Sequence, residues 1–205
     1  MSIHDEISFS ISPYVSRVNK AIQFYQTNLD KTLNNGLMLC IGEGPSAGWP
    51  VVDGTEVPPL PSLSVSQITN PIGFKRYKTM RFAVSDDAGI YSVGGVLWKV
   101  INGDTHEESI SLAKSLGARW LYIEAELETS ELNSGDIYYR QLGLYSGLKI
   151  RTDLVSDYST RQLFLPGEIE RFGGDYSGVL EVYQNTIPMR RPIDYRETFS
   201  WVLEF

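Results

Sequence analysis

At 205 residues, with 42% apolar and 21% charged side chains, the chain has an ordinary globular composition, which excludes global disorder. A net charge of −7 argues against non-specific binding to nucleic acid or to an anionic membrane, both of which need Lys/Arg patches. One cysteine excludes an intrachain disulfide framework, and no apolar run approaches the length of a membrane span.

The opening Met1-Ser2-Ile3-His4-Asp5-Glu6 lacks the basic start and apolar core of a signal peptide, so folding in a cytoplasm is expected. Ser12-Pro13 then opens a helix, since Ser can cap and Pro is tolerated at the first helical position. Val15, Val18, Ile22, Tyr25 and Leu29 recur at three- and four-residue steps, and Asn34-Asn35-Gly36 supplies a stop. The spacing predicts one long amphipathic helix over residues 13–33. Its stripe packs either on the chain's own sheet or on a neighbouring subunit, which makes Val15, Val18, Ile22 and Tyr25 candidate partner contacts. Residues 1–36 read as an N-terminal segment, and residues 37–205 as a β-domain.

Leu37 to Ile41 reads as a buried strand, with Cys40 a buried thiol inside it. Residues 42–61 then carry four glycines and five prolines, a composition that suits neither a helix nor a central strand. The expectation is an irregular surface arm, continuing to residue 77. Trp49 is costly to leave in water and should dock on this protein or on another. With Pro50, Pro58, Pro59 and Pro61 it forms the expected partner-binding surface of the arm. Gly42-Glu43-Gly44 is not followed by Gly-Lys-Ser/Thr, and Glu43 would repel an anion, so a phosphate loop is disfavoured.

From Lys78 the pattern turns to strands. Met80, Phe82 and Val84 alternate with Thr79, Arg81 and Ala83. Asp86-Asp87-Ala88-Gly89 makes a turn, and Ile90 to Val93 returns; after Gly94-Gly95 comes Val96 to Ile101. Thr105 followed by Glu108 has capping-box form and begins a short helix ended by Gly117. Leu121, Ile123, Ala125 and Leu127 alternate with Tyr122, Glu124, Glu126 and Glu128, a strand with one wet face. After a polar turn, Asp136 to Tyr145 is another strand. Within it Tyr139, Arg140 and Gln141 are assigned an architectural role, and Gly143 suggests a bulge or a close backbone approach.

The last forty residues are the expected organising element. Arg171 to Asp175 makes a Gly-rich turn and Ser177 to Gln184 a strand. Residues 185–194, with Asn185 and Pro188, read as a connection. Phe199, Trp201, Leu203 and Phe205 share one face of a closing strand built into the core.

Motifs for chemistry are missing. A hydrolytic triad needs a histidine base, and His4 and His106 both sit in polar settings. No Cys/His metal spacing or dinucleotide fingerprint occurs, and Asp86-Asp87 reads as a solvated hairpin tip. No catalytic, cofactor or metal residue is assigned, and the balance moves toward a binding or structural role.

Several pieces taken together in order resemble a known family. They are the strand ending in Gly42, Trp49-Pro50-Val51-Val52-Asp53, Val57-Pro58-Pro59-Leu60-Pro61, Trp98-Lys99-Val100 and Tyr139-Arg140-Gln141-Leu142-Gly143-Leu144. Phe172-Gly173, Gly178-Val179-Leu180-Glu181, Asn185-Thr186-Ile187-Pro188 and Val202-Leu203-Glu204-Phe205 follow. This order is similar to the gene-product-eight family of baseplate wedge proteins from T4-like contractile-tailed phages. The resemblance implies a mainly β virion protein of the tail baseplate, assembled in the host cytoplasm. It further implies an antiparallel β-sandwich that is not an enzyme, pairs as a homodimer within a wedge and contacts other wedge and tail proteins, with no nucleic acid and no membrane. The chain is shorter than the T4-type protein, and residues 1–36 fall outside the resemblance. The alternative is a tail-associated carbohydrate-binding or carbohydrate-cleaving module, supported only by the Tyr and Trp content.

Overall fold

The computed structural model describes residues 13–132, 137–192 and 194–205, and the structural statements below concern these. The Ser12 cap, His4, the Met1 to Glu6 stretch and part of the turn expected before Ile137 lie outside the described residues.

The chain is mainly β. In order it forms α1 (Tyr14–Thr27), β1 (Asn35–Gly42), β2 (Val51–Val52), β3 (Thr55–Glu56), β4 (Pro71–Arg76), β5 (Thr79–Ser85), β6 (Tyr91–Val93) and β7 (Val96–Val100). Then follow α2 (His106–Leu116), β8 (Trp120–Leu127), β9 (Ile137–Lys149), β10 (Leu163–Phe164), β11 (Arg171–Phe172), β12 (Asp175–Tyr176), β13 (Val179–Arg191) and β14 (Glu197–Glu204). Two five-stranded antiparallel sheets dominate, in the orders β10-β4-β1-β9-β13 and β14-β8-β5-β7-β6. The chain steps from the first to the second sheet between Arg76 and Thr79, where the Lys78 N–H donates to Glu124 O at 2.6 Å. That step joins the layers along one side, as in a barrel left partly open.

The facing sides share a core. Leu37 and Leu144 of the first sheet meet Phe82, Leu121, Ile123 and Leu203 of the second. Further along, Leu39, Ile41 and Leu142 meet Ala125, Leu127, Phe199 and Trp201. The far face of the first sheet is also covered: Met38, Cys40, Phe74 and Tyr145 pack under Ile68, Val155, Ile169 and Tyr176. A strand buried on both sides needs apolar residues at every position, which is why Leu37 to Ile41 shows no alternation. Burial at Cys40 pushes its thiol pKa well up. On β8, by contrast, Leu121, Ile123, Ala125 and Leu127 are buried, while Glu124 and Glu126 face outward. There Lys78 Nζ pairs with Glu126 at 2.9 Å, but the face is only partly wet, because Glu126 is largely covered and Tyr122 on the same side is buried with Ala83 and Trp98.

The N-terminal helix is shorter than the periodicity implies, ending at Asn28 instead of near Leu33. The stop is tertiary. Tyr77, distant in sequence, donates its hydroxyl to the carbonyls of Asn28 and Leu29 at 2.8 and 3.1 Å, and Asn28 Nδ2 returns to Phe24 O at 2.9 Å. These bonds satisfy end carbonyls that another turn of helix would have used. Val18, Ile22 and Tyr25 are buried with Phe82 and Leu121, so the stripe packs on the chain's own core and is not free for a partner. Val15 departs from that stripe and is exposed.

Thr105 Oγ1 caps α2 by accepting from the Glu108 N–H at 3.1 Å, and Gly117 closes it at φ 63°, a left-handed conformation that glycine adopts without strain. Gly94-Gly95 turns β6 back onto β7, and it is β7, not β6, that pairs with β5. The expected connection over residues 185–194 is also corrected, because β13 runs on to Arg191. Pro188 is tolerated because β13 is an edge strand and its register with β9 shifts between Asn185 and Met189.

Candidate functional site

The stretch expected to be an irregular surface arm is fastened along β9 and β13, with Trp49 docked on this same chain. Residues 42–77 are not irregular throughout, since β4 occupies Pro71–Arg76 and β2 pairs with β3 in a small hairpin. Asp53 and Gly54 turn that hairpin, both at positive φ (50° and 78°), the geometry of a two-residue Asp-Gly turn. The hairpin places Glu56 beside Arg140. Arg140 Nε reaches Glu56 Oε2 and Nη2 reaches Oε1, each at 2.7 Å, a two-pronged ion pair. The Trp49 backbone N–H adds a bond to the same Oε2 at 3.0 Å. Chiefly through the Arg140 bonds, and then this N–H, the Glu56 carboxyl pKa is lowered to about 2.

Four further anchors hold the segment. Trp49 is buried, and its Nε1–H donates to Thr186 O at 2.8 Å. Asn185 Nδ2 donates to Pro59 O at 2.9 Å. Tyr183 donates its hydroxyl to Ser62 O at 3.1 Å and accepts from the Ser62 N–H. Gln141 accepts from the Thr69 N–H at 2.8 Å while its Nε2 donates to Asn185 Oδ1 at 2.9 Å. Opposite Arg140, three residues of β13, Thr186 to Pro188, face one residue of β9. That irregularity brings Thr186 O to the indole.

Two glycines let the segment lie close. A Cβ at Gly42 would stand 2.4 Å from Ile68 Cγ2 and 2.8 Å from Thr69 O, and one at Gly143 would stand 2.7 Å from Ile68 Cγ1. The two sit on neighbouring strands and form a trough for Ile68, so Gly143 marks a close approach.

Of the residues singled out in sequence, Trp49, Arg140, Gln141 and Asn185 converge on this clamp, with Pro59 supplying a carbonyl. Pro50 and Pro61 are exposed and Pro58 is half-buried. Tyr139 is turned to the other side, into the shared core, and donates to Glu197 Oε1 at 2.6 Å. Trp201 is buried on the core side of β14, and Phe205 lies past the strand end with its ring 5.1 Å from that of Phe24. Glu56, Ile68, Thr69 and Tyr183 were not anticipated. The Val-Val-Asp-Gly-Thr-Glu run carried a usable hairpin signal for Glu56; the other three carry none.

The clamp leaves an apolar series outside, interspersed with exposed Asp53, Thr55 and Ser62. Val51, Val52, Val57, Leu60 and Leu63 are exposed, Leu60 at 92%, and Ile187 of β13 is exposed beside the Thr186 anchor. An exposed apolar series on a segment held by polar bonds suits protein contact. Elsewhere, Tyr25, Arg81, Phe82, Asp104, His106 and Glu107 line a cleft of about 420 Å³. His106 is exposed there, as a first-turn surface residue, with its Nδ1 2.9 Å from the Tyr25 hydroxyl. Among the described residues, no three His, Cys, Asp or Glu side chains are grouped to hold a metal. Stacking a sugar needs an open aromatic face. Trp49, Trp98 and Trp201 are buried and the Arg119 guanidinium lies 4.4 Å over the Trp120 ring, so the tryptophans offer none, whereas Tyr138 and Tyr195 are exposed. No helix among the described residues is long and apolar enough to cross a membrane.

A family model described as "Baseplate wedge 3 tail fiber network component" matches residues 9–205. Among curated proteins, none matches the chain.

Proposed function

Because the chain belongs to the family of baseplate wedge 3 tail fiber network components, a virion tail family, we propose that it joins neighbouring proteins in the baseplate of a contractile phage tail. The arm of residues 42–63 is the joining surface, and its occupant is a neighbouring wedge protein. The observation that carries this reading is the outward apolar series Val51, Val52, Val57, Leu60 and Leu63 on a segment whose own anchors are polar. Pre-ordering the segment lowers the entropy lost on contact. Trp49 supports the surface from beneath and is not itself the contact.

The resemblance to gene-product-eight proteins read from the sequence would add two elements to the reading: a non-catalytic role, and two copies of the chain in one wedge. α1 does not supply that pairing, because Val18, Ile22 and Tyr25 are spent inside the core.

The test is co-assembly with the other wedge proteins of the same tail. A Val52→Asp/Leu60→Asp variant should melt like the parent and drop out of the assembled wedge. Leu154→Asp, an exposed apolar position away from the arm, should assemble normally. Parent-level assembly of the arm variant would sink the reading. Light scattering decides the pairing, with a mass of 23.1 kDa alone counting against it.

A further inference from the structure

The β2–β3 ribbon is apolar on both faces. Val51 stands opposite Glu56 and Val52 opposite Thr55. Residues opposite one another share a face, so Val51 lies on the side that Glu56 turns toward Arg140, and Val52 on the other. Neither valine is covered: Val51 is 64% and Val52 55% exposed. The Val57 N–H donates to Pro50 O at 2.9 Å and carries the pairing one step further. Pro50 and Val57 thereby add exposed apolar groups on the side of Val52. At the tip, a Cβ built on Gly54 would meet nothing within 4 Å, so the turn stands clear of the body.

A strand that packs on one face alternates apolar with polar residues, and consecutive apolar residues mark burial on both, as along Leu37 to Ile41 of β1. Val51-Val52 has the second pattern without the burial. Area points the same way. A stable contact covers about 800 Å² on each partner, more than one face of so short a ribbon presents, and enclosing both faces uses it fully. The charge of the tip has one sign. Glu56 is neutralised by Arg140, whereas Asp53 is exposed and its carboxylate makes no hydrogen bond or ion pair among the described residues.

We infer that the ribbon is a plug: Val51 and Val52 enter a cleft of a neighbouring wedge protein, one with apolar walls and a Lys or Arg at its floor to meet Asp53. This rests on the arm being the joining surface, and it names the shape and charge of what the arm joins. A flat partner would cover Val52 and leave Val51 wet. A cleft covers both, and the Glu56–Arg140 pair behind the ribbon holds it at a fixed angle for entry.

The native Cys40 is buried, so a thiol introduced on the arm is the one a maleimide reaches. Full-length Val51→Cys, Val52→Cys and Leu60→Cys chains are labelled alone and after assembly with the other purified wedge proteins. All three should react in the free chain. In the wedge, labelling of both Val51→Cys and Val52→Cys should slow by about tenfold or more. Protection at only one of these two, with Leu60→Cys covered, means a flat partner; it overturns the inference and leaves the arm as the joining surface. Protection at Leu60→Cys alone does the same. Full reactivity at all three removes the arm reading, and the inference with it. Asp53→Asn tests the floor, because Asn keeps the left-handed turn and loses the charge. It should melt like the parent and join the wedge about threefold or more weakly at low salt, with the gap closing as salt rises. Equal affinity at every salt concentration overturns the cationic floor.

Discussion

The Arg140 guanidinium holds both carboxylate oxygens of Glu56, at 2.7 Å each, across 84 positions of sequence. This pair fixes the β2–β3 hairpin on β9, and Lys cannot copy its planar fork. Arg140→Lys should therefore keep the charge and loosen the arm. Amide exchange at Trp49, whose N–H bonds Glu56, should rise by about an order of magnitude or more, while β1 and β8 stay protected. Parent-like exchange at Trp49 would show that the fork is dispensable.

The same pair sets a pH response. The Glu56 folded pKa is lowered to about 2 from an ordinary 4.5, so its contribution is fully present above pH 4.5 and is lost as pH falls through about 2. The NMR signal of the Trp49 indole N–H, which reports contact with Thr186, should titrate within that window. Glu56→Gln should abolish the titration. Persistence of the transition in that variant would assign it elsewhere.

The Ile68 trough gives a steric prediction. Gly42→Ala places a Cβ 2.8 Å from the Thr69 carbonyl oxygen, which belongs to the backbone and cannot swing away. Overpacking of this kind costs about 1–3 kcal/mol. Urea unfolding should show that loss, with Ile68→Ala recovering part of it in the double variant. An unchanged midpoint for Gly42→Ala would mean the segment lifts freely.

The closing strand carries the largest single-residue effect. Trp201 is 6% exposed and stacks on Phe199 with ring centroids 6.2 Å apart. Trp201→Ala should cost about 3–5 kcal/mol, lowering Tm by about 6–20 °C in a chain of this size. A shift under about 2 °C would make β14 peripheral.

Elements ruled by local pattern were readable in the sequence. The β8 alternation, the Thr105 cap with its Gly117 stop and the two-sided burial of Leu37 to Ile41 needed no partner to be seen. Elements ended or held by distant residues were not. The stop of α1 depends on the Tyr77 hydroxyl, and the passage of β13 through Pro188 depends on its place at a sheet edge. The composition of residues 42–61 pointed to an irregular arm, where the structure has a small hairpin held against β9, and it demanded a home for Trp49. Nothing local said that the home is Thr186 on the same chain, or that Glu56 would meet Arg140. At the clamp, then, the residue types were legible and the pairings were not.

The step from Tyr139 to Arg140 has a mechanical consequence. One residue grips the arm and its neighbour on the same strand is tied to Glu197 in the other layer. Tension arriving through the arm enters at β9, which is laddered to β1 on one side and β13 on the other, and it has a direct route onward to β14. The arm's anchors are separate side-chain bonds, so they should fail one after another, whereas the ladders behind them share load. Pulling between Val57→Cys and a C-terminal handle should give small early ruptures before one large one. If the arm is the joining surface, the chain should yield there first and keep its folded body intact under strain.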